Sequence, residues 1–72
     1  MKLNYYADTD SLYIDLNENP SADSVEVSEG VVLDYDAQGN LVGIDIDNAT
    51  HKLTLNELEL NQLPVAHQRV AA

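Results

Sequence analysis

The chain has no cysteine, tryptophan or phenylalanine, and only 3 lysine and arginine residues among 72. Without thiols there is no disulfide framework and no thiolate metal site, so His51 and His67 are the only imidazoles that could ligate a metal. The scarcity of cations against 13 aspartates and glutamates gives a formal net charge of −10. Such a chain repels phosphate backbones and anionic membrane surfaces, which excludes direct nucleic-acid binding as an expected role. The same field attracts a basic protein, although acidity also serves simply to keep a small domain soluble. No run of about 18 apolar residues is present to span a membrane. The opening MKLNYYADTD contains no apolar signal core, so the expected location is the cytoplasm.

Length sets the next constraint. Seventy-two residues suffice for one domain and not for two. A domain this small buries only about 60% of the surface its unfolded chain exposes, a marginal gain against lost conformational entropy. With disulfides excluded and no metal site evident, self-association is the remaining source of stability, and a homodimer is expected.

Most of the chain reads as strand. Residues 2–6 (KLNYY) and 11–17 (SLYIDLN) flank Ala7-Asp8-Thr9-Asp10, a polar turn, in the pattern of a hairpin. Leu12, Ile14 and Leu16 alternate with Tyr13 and Asp15, so the sheet has a dry face and a wetter one. Pro20 interrupts pairing, and residues 24–28 (SVEVS) form a third strand with Val25 and Val27 inward. Glu29-Gly30 leads to residues 31–35, and Asp36-Ala37-Gln38-Gly39-Asn40 to residues 41–46, where Val42, Ile44 and Ile46 share a face. Connections this short predict antiparallel neighbours throughout, hence a five-stranded antiparallel meander.

Beyond Asn48 the period changes. Thr54-Leu55-Asn56-Glu57 fits a capping box and predicts a helix over about 55–62, ended by Pro64. The alternative is that Leu53, Leu55 and Leu58 to Leu60 lie in another extended segment. The expected fold is therefore α+β, mainly β: one domain over residues 1–64 with one short C-terminal helix, and a flexible tail over residues 65–72.

The order Tyr6-x4-Ser11-Leu12-Tyr13-Ile14-x-Leu16, followed by Glu26-Val27-x2-Gly30-Val31-x2-Asp34-Tyr35-Asp36-x2-Gly39-x2-Val42-Gly43-Ile44-x-Ile46-x2-Ala49, resembles the bacterial and archaeal "domain of unknown function 2283" family over about residues 1–50. The resemblance implies no established activity, cofactor or catalytic residue. Some members look like the smaller partner of a compact ribonuclease-type toxin, which implies an antitoxin-like binding role. From His51 onward the chain departs from the pattern.

Several residues are candidates for chemistry. Asp34, Asp36, Gly39 and Asp45 match positions one, three, six and twelve of an EF-hand loop, but Asp45 is shorter than the usual glutamate and the flanks are strands. A turn built on Asp36, Gly39 and Asn40 explains the same residues. Asp8 and Asp10 could bind a hard cation or act as an acid–base pair, and turn capping again explains them. His51 and His67 lack a partner at ligand or nucleophile spacing, and Lys52 lacks the glycine-rich loop of a phosphate cradle. Tyr13 should face away from Leu12 and Ile14 and could mark a contact surface; Tyr5, Tyr6 and Tyr35 complete the aromatics.

No catalytic, cofactor-binding or metal residue is assigned on this basis. The leading expectation is a non-enzymatic interaction module, antitoxin-like, that binds a basic partner such as a small toxin through strand addition or its Leu-rich C-terminal segment. The alternatives are a small enzyme or metal-binding domain using Asp8, Asp10, Asp34 and Asp36, and a structural self-associating domain.

Overall fold

A computed structural model describes residues 1–64. The tail expected over 65–72, which contains His67, lies outside the described residues. Five strands, β1 (Lys2–Tyr6), β2 (Ser11–Asp15), β3 (Asp23–Ser28), β4 (Val31–Tyr35) and β5 (Leu41–Ile46), and one helical turn, α1 (Ala49–Lys52), follow in chain order. Every pairing is antiparallel. Five antiparallel strands and one short helix stand as the sequence predicts; the lateral order and the place of the helix do not.

The strands lie in the order β1-β2-β5-β4-β3 instead of a sequential meander. The β1–β2 hairpin and the β3–β4–β5 meander are joined because β5, not β3, pairs with β2. Composition accounts for this choice. LVGIDI of β5 is the most apolar strand and takes a central position, whereas DSVEVS of β3, every residue of it exposed, takes an edge. Reaching that far edge means passing three strand spacings, about 14 Å, which the residues between β2 and β3 span easily at roughly 3.3 Å each.

The arch between β2 and β3 is held by the β4–β5 turn. Asp36 is buried. Its carboxylate accepts hydrogen bonds from the backbone N–H groups of Gln38 (3.0 Å) and Asn40 (2.8 Å), and from the Asn40 and Asn19 side-chain amides (both 3.2 Å). Ala22 N–H donates to the Tyr35 carbonyl at 2.7 Å. Gly39 takes the positive φ of 85° that this turn requires.

The helix expected at 55–62 does not form; residues 54–64 are irregular. The leucines of that segment fall on no single stripe, so a helix there would have no face to bury. A helical turn forms earlier because Asp10, from the β1–β2 loop, satisfies its first donors. The Asp10 carbonyl accepts from Ala49 N–H (2.9 Å), and its carboxylate accepts from Thr50 N–H (3.2 Å) and the Thr50 hydroxyl (2.7 Å). Asn48, the residue before the turn, is left-handed at φ 52° and caps nothing with its side chain. At the other end Lys52 Nζ donates to the carbonyls of Glu29 (2.9 Å) and Asp47 (2.7 Å), tying α1 to the β3–β4 turn.

Candidate docking surface

Directly paired residues in an antiparallel sheet share a face. Leu3↔Ile14, Leu12↔Ile46, Ile14↔Ile44, Leu33↔Ile44 and Val25↔Leu33 therefore place one apolar band across all five strands. The opposite face holds Tyr13, Asp15, Asp34, Asp45 and Glu26. The alternation expected in β2 and β5 is thus present, and Tyr13 does face away from Leu12 and Ile14.

The two faces are finished differently. On the polar face the Tyr13 hydroxyl crosses β5 and donates to Asp34 at 2.9 Å, while the Ser24 hydroxyl donates to the other Asp34 oxygen at 2.6 Å. Gly43 makes the crossing possible, since a Cβ there would collide with the Tyr13 ring and hydroxyl. The hydrogen bond to Asp34, together with desolvation and nearby carboxylates, pushes the Tyr13 phenol up to about 12. Asp45 is raised above the ordinary carboxylate value, first by desolvation and then by Asp47 and Asp34. Among the described residues no buried side-chain polar atom lacks a hydrogen-bond partner.

On the apolar face the side chains lack cover. Leu12, Val42 and Ala49 are the only buried hydrophobics among the described residues. Val31, Leu33, Ile44 and Ile46, although on inner strands, are only half-buried. Val25 lies on the apolar face as expected but is 45% exposed, and Val27, also expected inward, is 55% exposed. Val27 sits in a bulge where β3 goes from the Glu26↔Val32 pair to Ser28↔Val31. Over the β1–β2 half, the irregular segment after α1 passes above the sheet. It leaves an open groove of about 820 Å³ whose walls include Leu3, Tyr5, Leu12, Leu53, Leu55 and Leu58. The unmatched leucines of the capping-box segment thus line a groove, a use that helical periodicity could not signal.

The carboxylates considered for metal or acid–base chemistry are dispersed. Asp10 is committed to Thr50 and Tyr5, whose hydroxyl donates to it at 2.8 Å; these hydrogen bonds, the Thr50 hydroxyl foremost, hold it below the usual carboxylate range. Asp8 is exposed in the same loop. Asp36 is held low chiefly by the Asn40 backbone N–H, within a turn of the kind that Asp36, Gly39 and Asn40 imply. Asp34 lies on the sheet face beside Tyr13, so the EF-hand arrangement does not assemble. His51 is exposed in α1. No group of three histidine or acidic side chains among the described residues could hold a metal. No described helix is long and apolar enough to cross a membrane.

All five strands lie within the stretch that a family model matches, residues 2–49, with the description "Protein of unknown function (DUF2283)". The chain belongs to this family. The matched stretch holds the whole DUF2283 sheet and ends at Ala49, the buried first residue of α1. The groove-lining leucines after it fall beyond the match, in agreement with the departure from the pattern after His51. Neither the curated proteins nor the solved structures contain a match to the chain.

Proposed function

We propose that this DUF2283 domain is a non-enzymatic protein-binding module that docks another polypeptide on the apolar face of its sheet. The observation that carries the reading is the incomplete burial of Leu33, Ile44, Val31 and Val25 on a face that crosses all five strands, beside an apolar groove. Contiguous exposed apolar surface of this kind marks interaction sites in soluble proteins. The net charge of −10 favours encounter with a partner basic at its rim, the character expected of a small toxin bound by an antitoxin-like protein. The alternative use of Asp8, Asp10, Asp34 and Asp36 in metal or acid–base chemistry gains less support, because Asp10, Asp34 and Asp36 are each occupied by hydrogen bonds within the chain.

A photo-crosslinking side chain at Val25, compared with one at Asp45 on the opposite face, tests this reading in extracts of cells expressing the full chain. The expected result is a defined polypeptide adduct from position 25 and none from position 45. Absence of any polypeptide adduct at position 25, or equal labelling from both faces, would overturn it.

A further inference from the structure

We infer that the occupant of the apolar face is a second copy of this chain, the two sheets packing face to face. The inference rests on the docking reading above and sets an identical chain in place of the basic partner considered there. Its first support is the distribution of charge. Two chains of −10 repel each other unless their carboxylates stay apart. The paired positions of the apolar face on β1, β2, β5 and β4 carry no charged residue. Asp23, at the outer corner of β3 opposite Tyr35, and Glu57, on the wall of the groove over β1 and β2, are the charged groups on this side among the described residues. Asp15, Asp34, Asp45 and Glu26 all lie on the other face, where a face-to-face pair would hold them outward in water. A basic partner, by contrast, would find no complementary charge at the centre of this surface.

The second support is shape. The molecule is a plate of 30 × 30 × 19 Å. The open part of its broad side lies over β5, β4 and β3, since Leu53, Leu55 and Leu58 stand over β1 and β2. A single sheet with a few buried hydrophobics is half of a sandwich, and stacked sheets about 10 Å apart bury both inner faces. Pairing two copies supplies a second layer over β3, β4 and β5, which the described residues leave uncovered.

Light scattering after gel filtration of the full chain, loaded at about 10–200 μM in low and high salt, tests the inference. The expected result is a dimer mass that Leu33→Glu converts to a monomer mass while the far-ultraviolet β signature persists. The dissociation constant should rise more than about 100-fold, as for a charge placed in the centre of an interface. Should Leu33→Glu fail to fold, Val25→Glu, at a 45% exposed edge position, gives the same reading. Raising salt should strengthen the dimer, because it screens repulsion between like-charged chains. A monomer mass across the range overturns the second copy but leaves the docking reading standing, since the crosslinker at Val25 would then report a different polypeptide. A dimer that survives both glutamate variants, or that salt dissociates, likewise overturns the face-to-face pair.

Discussion

Leu33 and Asp34 are neighbours on β4 and point to opposite sides of one sheet. Asp34 receives hydrogen bonds from Tyr13 and Ser24 of its own chain, while Leu33, at the centre of the apolar band, remains half-exposed. Burial of a polar group requires a partner within reach, and on this face the chain provides it across three strands. Burial of an apolar group requires only another layer, and the described residues provide one over β1 and β2 but not over Leu33. The difference separates the two faces: the polar one is satisfied within the chain, and the apolar one is left partly uncovered among the described residues.

On the polar face Gly43→Val should have the largest effect. Its side chain would displace Tyr13 from the Asp34 hydrogen bond and overpack the strand, at a cost of about 3 kcal/mol in denaturant unfolding. Tyr13→Ser should recover part of that loss in the double variant, and a purely additive result would mean the two residues do not compete for the same space.

Asp36→Ala should come next, lowering Tm by about 5–10 °C through the loss of four hydrogen bonds to a buried carboxylate. The Asp36 carboxyl is held below its ordinary 3.8, so its contribution is present above that pH and fades as pH falls through the lower, folded-state value. The variant should therefore differ most from the parent at neutral pH and least in strong acid, as followed by thermal melts across pH.

Tyr13→Phe should cost about 0.5 kcal/mol, a single half-exposed hydrogen bond. The phenol is raised from 10.0 to about 12, so the stability it contributes is complete below pH 10 and declines as pH rises toward about 12. Alkaline melts of the parent should show that decline and those of Tyr13→Phe should lack it. The smallest effect is a gain. Asp45 is raised in the folded state, so its ionised form opposes folding at neutral pH, and Asp45→Asn should raise Tm by about 2 °C there. The gain should disappear when acid protonates the carboxylate in both states.

Local rules made the strands and the β4–β5 turn legible in the sequence. Alternation in SLYID and LVGIDI identified the two faces, and Asp36, Gly39 and Asn40 identified a turn where an EF-hand spacing also fitted. What the sequence concealed depends on long-range partners. The seat of β5 beside β2 is a choice among strand pairings that the linker between β2 and β3 leaves open. The helical turn at Ala49 depends on Asp10, about 40 positions earlier, whereas the capping box at Thr54 had local donors but no apolar stripe to anchor a helix. The apolar face was visible as alternation, but its lack of cover could be seen only once Leu53, Leu55 and Leu58 had been placed over β1 and β2 alone.

The most direct test of the claim that the apolar face is completed by another copy is the dependence of Tm on protein concentration. Association with the folded state stabilises by mass action, so the parent chain should gain about 5 °C or more between 2 and about 200 μM, while Leu33→Glu should melt at a constant, lower temperature. A parent Tm independent of concentration over that range would contradict the account.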